Sequence, residues 1–399
     1  MNFVFLGTPS EQISGTQNVT EKFPRSMIFL ILGAIIVWKA FLQVIVIVAP
    51  HVLPATGAFF PDTVTRAPLP ESVWVWGNFD GAHYVSIARS GYFTSTVPFF
   101  PLYPYLIKIA VEVWRVSFIV AGQLLSVASL WLSLLVIVYL LREDQHEGDF
   151  PLLLAVLIVF PTSFYYAAIY NDALFLLLAT LTLLFARRRQ WTAAGVTSAL
   201  ATLTRLNGLA LTLYLIVEYS LATRGRIVKL FTHHGALFAI LAPLFSFLGY
   251  LFYVERTLGS WQLVFSGMRI WQQDKLTLPV QVVWRYLTIL STGEWVRYVY
   301  WVATLEFFFV LLYTCLLVYS WKRIRLSYWV FFFTSILIPM LTGTFAGMPR
   351  YGLHLYPFFL TLTILLSRAP PFLRMIYFSI SVVLLVVFLT LFSRGYFVS

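Results

Sequence analysis

Residues 27–49 read MIFLILGAIIVWKAFLQVIVIVA, an apolar run broken only by Lys39 and Gln43. A helix needs about 20 apolar residues to cross the hydrocarbon core of a bilayer. Inside lipid the backbone must satisfy its own hydrogen bonds, so a run of this length reads as helix and not as strand. Comparable runs follow at roughly 117–141, 151–169, 173–186, 234–254, 299–320, 327–345, 353–367 and 375–392. The stretch 191–222 is also apolar, but Thr204-Arg205-Leu206-Asn207-Gly208 interrupts it. It reads as two short helices meeting near Arg205. The expectation is an all-α integral membrane protein with about eleven crossings.

Composition agrees. Of 399 residues, 60% are hydrophobic and 11% charged, against about 25% charged in a soluble domain. The mean hydropathy is +0.84. A soluble enzyme, a disordered scaffold, a disulfide-stapled secreted module and a nucleic-acid binder all fit poorly. The net charge of +11 comes from Lys and Arg between the apolar runs, where they orient a chain in the bilayer and meet anionic lipid. The lone Cys315 cannot pair within the chain and forms no CxxC metal site. No cleavable signal peptide is expected in the polar opening residues.

The positive-inside rule assigns the sides. Lys22/Arg25, Arg142, Arg187–Arg189, Arg224/Arg226/Lys229, Lys322/Arg323/Arg325 and Arg368/Arg374 fall on one face if the crossings alternate. That face reads as cytoplasmic, with residues 1–26 as a cytoplasmic N-terminal segment and 27–399 as a single transmembrane domain. The long amphipathic stretches at about 50–116 and 255–297 are then external. So are the turns at Asn171-Asp172 and Met348-Pro349-Arg350-Tyr351. Asn18-Val19-Thr20 fits a glycosylation acceptor but falls on the cytoplasmic side. Any chemistry is expected at the extracytoplasmic interface, on the cell membrane of a prokaryote or the endoplasmic reticulum of a eukaryote.

Residues 73–105 carry most of the signal. Trp74, Trp76, Phe79 and Tyr84 are aromatics suited to headgroup depth. Asn78 can cap a helix beginning at Phe79, and Asp80 then sits in the first turn, where the dipole favours a carboxylate. Helical spacing puts Asp80, His83, Tyr84 and Ile87 on one face of an interfacial helix. Spacing alone reads Asp80 as a capping residue and His83 as an interfacial polar group, and position does not choose among the eight acidic residues expected outside, Asp62, Glu71, Asp80, Glu112, Asp172, Glu255, Asp274 and Glu294. Lys39, a cation in mid-span, costs about 2.5–3.5 kcal/mol on insertion scales. It either faces a polar cavity, near a donor phosphate, or snorkels.

Four ordered blocks resemble the PIG-V-like mannosyltransferases. The first is Asn78-Phe79-Asp80-Gly81-Ala82-His83-Tyr84 with Ile87-Ala88-Arg89-Ser90-Gly91-Tyr92 and Phe99-Phe100-Pro101-Leu102-Tyr103-Pro104. It is similar to the family's first luminal loop, with Phe79 where the family usually has Trp. Phe160-Pro161-Thr162-Ser163-Phe164-Tyr165 with Tyr170-Asn171-Asp172-Ala173-Leu174-Phe175 is the second. Leu203-Thr204-Arg205-Leu206-Asn207-Gly208 resembles an Arg-x-Asn-Gly turn, and Pro349-Arg350-Tyr351 with Tyr356-Pro357 a late Pro-Arg turn.

The resemblance implies a GT-C glycosyltransferase bundle. It also implies transfer of a hexose, mannose in that family, from a polyprenyl- or dolichyl-phosphate donor to a hydroxyl of a lipid or glycan acceptor. The chain has no Asp-x-Asp pair to clamp metal and nucleotide-sugar, and no Gly-rich phosphate loop. An inverting displacement needs a base, and Asp80 is the candidate. Arg205 and Arg350 are candidates for the departing phosphate, and Asp172 for electrostatic support of an oxocarbenium-like transition state. His83, Tyr84, Asn171, Asn207, Tyr351 and Lys39 complete the expected substrate-binding set. A divalent metal is left open, and no nucleic acid is expected. The alternative reading is a transporter or lipid flippase that performs no covalent chemistry.

Overall fold

The computed structural model describes residues 25–66 and 68–398. Asn18-Val19-Thr20, Lys22 and most of the expected N-terminal segment 1–26 lie outside the described residues. The described chain is all-helical, 76% helix with no strand. Five helices are long and apolar enough to cross a membrane: Ser26–Val52, Phe118–Glu143, His234–Leu258, Tyr298–Ser320 and Pro371–Ser393. Shorter apolar helices accompany them, Phe150–Val159, Leu326–Met340 and Tyr356–Arg368 among others. This is the build of an integral membrane protein.

Small residues set the closest helix crossings, as expected where lipid removes the hydrophobic drive between helices. The helix Trp191–Thr202 packs along His234–Leu258. A Cβ on Gly195 would lie 2.6 Å from Phe238 and 2.9 Å from the Ala239 Cα. Where Phe118–Glu143 approaches the buried loop before Asp172, a Cβ on Gly122 would lie 2.6 Å from Ile169.

The stretch 191–222 is two helices, Trp191–Thr202 and Ala210–Ala222, joined through a tight turn at Leu206–Leu209. That turn requires its glycine: a Cβ on Gly208 would lie 2.4 Å from the Thr202 Cα and 2.5 Å from its backbone nitrogen.

The run 151–169 departs from expectation. Its helix, Phe150–Val159, ends before Pro161, whose ring and missing N–H oppose a helix interior. Residues 160–171 then form irregular backbone, buried throughout. Such backbone survives at this depth only where protein satisfies its polar groups. Here Ile169 N donates to the Trp76 carbonyl at 2.9 Å, Ser163 Oγ to Ile158 at 2.7 Å, and Tyr166 Oη to Leu353.

Two connecting stretches build one end of the bundle. The first carries the helices Asp80–Ser90 and Leu102–Trp114. The second runs through Leu263–Ser266 and a turn at Gly267–Trp271 to the amphipathic helix Pro279–Thr292. At the other end of the helix Asp172–Arg187, Arg187 pairs with Asp144 at 2.8 Å. Nearby, Glu218 takes a bidentate grip from Arg325 at 2.7 and 2.8 Å, together with Ser327 at 2.7 Å. These partly buried pairs tie helix ends together.

Candidate active site

The helix Asp80–Ser90 starts one residue later than the sequence predicts, and Asn78 does not cap it. Its buried amide donates instead to the carbonyls of Phe392 at 3.0 Å and Ser393 at 3.4 Å. Those carbonyls end the helix Pro371–Ser393, where no further helical turn takes up the last C=O groups, and the amide shares the Phe392 carbonyl with Gly395 N at 3.1 Å. Phe79 takes the cap position with φ 55° and ψ −120°, a conformation costing about 1–3 kcal/mol in a non-glycine residue. Stacking on Phe59 at 5.2 Å and a backbone bond from Phe79 N to the Phe59 carbonyl at 2.8 Å hold it there. Asp80 follows directly, so this strained residue sets where its carboxylate points.

That carboxylate opens on a cavity of about 590 Å³. Asp80, Tyr84, Asn171, Arg205, Asn207, Arg350 and Tyr351 all line it. Four separate segments of chain therefore converge on one hollow. Much of the remaining wall is apolar and aromatic, with Phe99, Phe100, Phe265, Trp271 and Ile338 among its residues.

Arg350 is the hub. Its Nη1 donates to Asp80 Oδ2 at 2.7 Å, and its Nε lies 3.8 Å from Asp172 Oδ2. Its guanidinium also lies over the rings of Tyr170 at 4.8 Å and Tyr165 at 5.4 Å. Burial opposes its charge, but Asp80 and Asp172 outweigh that and hold its pKa well above the ordinary arginine value. Arg205 Nη1 donates to Asp172 Oδ1 at 2.6 Å and sits 2.9 Å from His354 Nδ1. The Arg205 guanidinium faces the Tyr351 ring at 5.3 Å. Asn171 Nδ2 donates to the Thr204 carbonyl at 2.5 Å, and Asn207 Nδ2 to Ser335 at 3.1 Å. Both amides thereby fasten the Arg205 turn to its surroundings.

The two carboxylates differ. The Asp80 side chain is 23% exposed, whereas that of Asp172 is 0% exposed. Asp172 does not line the cavity; it lies behind the two guanidiniums. The electrostatic support expected of it would therefore act through Arg205 and Arg350, which it contacts at 2.6 and 3.8 Å. Two buried atoms here, Asp172 Oδ2 and Arg350 Nε, make no hydrogen bond.

No family model matches this chain, and neither does any curated protein or solved structure.

His83 and Lys39 fall elsewhere. His83 is half-buried one layer behind the wall, stacked on Phe99 at 4.6 Å and edge-on to Trp271 at 6.1 Å. Lys39 neither reaches the cavity nor snorkels. Its Nζ lies 3.3 Å from the centroid of the Trp76 ring and donates to Gln123 Oε1 at 3.3 Å. The cation thus braces the segment before Asp80, since Trp76 Nε1 also donates to Gln43 at 3.1 Å.

Sequence reasoning did not single out His354, Tyr170 or the wall from residues 264–276. His354 is fully buried between Arg205 and Asp172, and only its position near Arg350 in the chain could have suggested it. Among the described residues, no group of three His, Cys, Asp or Glu side chains is placed to hold a metal ion. Asp172 is already engaged by the guanidiniums of Arg205 and Arg350.

Proposed function

We propose that this chain is an inverting glycosyltransferase of GT-C type. It moves a hexose, mannose by the sequence resemblance, from a polyprenyl- or dolichyl-phosphate donor to a hydroxyl of a lipid or glycan acceptor. In this reading about eleven helices cross the membrane, the N-terminus is cytoplasmic, and the cavity opens on the extracytoplasmic side.

One observation carries the reading: an accessible carboxylate, Asp80, is ion-paired to a largely buried guanidinium, Arg350, at the wall of a largely apolar cavity. Asp80, Arg350 and Arg205 all line this one hollow. A phosphate entering it meets Arg350 and Arg205, the planar forks best suited to bind it. It competes with Asp80 for Arg350 and frees the carboxylate to act as base. The acceptor oxygen attacks the anomeric carbon from the face opposite the phosphate and passes its proton to Asp80. The bond between anomeric carbon and phosphate oxygen breaks, and the polyprenyl phosphate leaves with the electron pair against the two guanidiniums. A positioned base contributes about 10²–10⁴-fold, and fixed charge at the leaving group adds to it. The aromatic wall suits the isoprenoid and the faces of the sugar.

The test is purified protein in sealed proteoliposomes with radiolabelled dolichyl-phosphate mannose and a membrane glycolipid extract. Label passing into a new covalent glycolipid supports the reading. Donor crossing the bilayer unchanged, with no new product, would establish the transporter instead.

A further inference from the structure

A second hollow lies on the far side of the strap Gln272–Thr277. Its volume is about 580 Å³, and Asp274 and Lys275 line both it and the Asp80 cavity. The strap is thus a shared wall. Thr277 N donates to the Leu341 carbonyl at 2.8 Å and Gln273 Nε2 to Ala346 at 3.2 Å, which fixes the strap against the loop leading to Arg350.

We propose that this second hollow is a binding site for a phosphate group carried by a lipid headgroup. Arg269, Lys275 and Arg285 surround it, against the single carboxylate of Asp274. Arg269 Nε lies 3.1 Å from Asp274 and neutralises it. That leaves Lys275 and Arg285 as excess positive charge. Arg285 is held in place: Nη1 donates to the Gly343 carbonyl at 3.2 Å and Nη2 to Gln272 Oε1 at 2.8 Å. A guanidinium pinned on one edge keeps its other donors for an incoming oxyanion and loses little rotamer freedom on binding.

The floor of the hollow is also shaped. Gly343 has φ +92°, and a Cβ there would lie 3.1 Å from Thr277 Oγ1. A side chain would therefore strain the backbone and crowd the strap. The surroundings specify the carrier. Arg285 sits on the helix Pro279–Thr292, which exposes Val280 and Trp284, and the neighbouring Leu276 and Leu278 are exposed as well. Exposed apolar and tryptophan side chains beside cations are the pattern of a surface at headgroup depth.

The site does not depend on sugar transfer, so it can be read without that activity. Full-length protein in phosphatidylcholine nanodiscs is titrated calorimetrically with dihexanoyl phosphatidate, inorganic phosphate and the uncharged dihexanoylglycerol. R285Q, which alters the second hollow and not the Asp80 cavity, should bind phosphatidate at least tenfold more weakly than the wild type. R285K should keep most of the binding, and R297Q, outside the hollow, should change nothing. Tighter binding of phosphatidate than of inorganic phosphate assigns the site to lipid. Equal binding of the two keeps the phosphate site but moves its source to the free anion. Unchanged affinity in R285Q, equal binding of dihexanoylglycerol, or no binding to a wild type that is folded by circular dichroism overturns the proposal.

Discussion

Arg350 Nη1 donates to Asp80 Oδ2 at 2.7 Å although the residues stand 270 positions apart in the chain. The pair joins the strained start of one helix to a turn near the other end of the sequence. It is the accessible member of a four-group array. Asp172 and Arg205 form its buried counterpart at 2.6 Å, with 0% and 11% of their side chains exposed.

Because Asp80 is the open carboxylate, Asp80→Asn should cut sugar transfer by about 10²–10⁴-fold. The amide keeps the shape and can still accept a hydrogen bond from Arg350, so melting in detergent should shift little. Transfer near the wild-type level would remove Asp80 from the base role.

Arg205 and Asp172 should behave as structure first. Truncating Arg205 to Ala leaves the buried Asp172 without its shortest partner, a change that costs about 3–5 kcal/mol for a buried pair. A large fall in Tm is expected for Arg205→Ala. Arg205→Lys should recover part of that Tm, but less of the transfer activity, because an ammonium lacks the planar fork. Equal recovery of both would argue against a phosphate-binding role for Arg205.

Gly208→Ala should destabilise through overpacking by about 1–3 kcal/mol, since its Cβ would meet the Thr202 backbone at 2.4 Å. Transfer should fall with it, because Arg205 is carried by the same turn. Gly33→Ala is the control. Nothing lies within 4 Å of its Cβ in the helix Arg25–Val52, so thermal denaturation should find it neutral or slightly stabilised.

His83 gives a pH signature. Burial lowers its pKa below the ordinary histidine value, and Asp80 only partly restores it. The unfolded chain then binds more protons than the folded one as pH falls, so stability is lost on acidification. The contribution is complete above about pH 6.5 and declines below it. Apparent Tm measured across this window should fall less steeply with acid in His83→Gln than in the wild type. Parallel curves would remove His83 as the source.

Much of the architecture was readable from local signals. The break at 204–208 is visible as an arginine, an asparagine and a glycine inside apolar sequence. The Asp80 region is visible as aromatics clustered around a carboxylate. Other features depend on partners remote in the chain. Asn78 looks like a helix cap until the end of another helix offers it two carbonyls. Lys39 looks like a cavity residue until the Trp76 ring covers it. His354 carries no local mark, because its role comes from lying between Arg205 and Asp172.

Apolar run length and composition were enough to make this an all-helical membrane chain. Hydrocarbon offers no partner to a free N–H or carbonyl, so a long apolar segment must pair its backbone within itself. That requirement is local. Which charged groups meet is not: a carboxylate and a guanidinium become partners only when packing brings distant turns to one depth and excludes the water between them. The ordering of Asp80 as the open acid and Asp172 as the hidden one, and the strap that divides two hollows, were decided by tertiary structure alone.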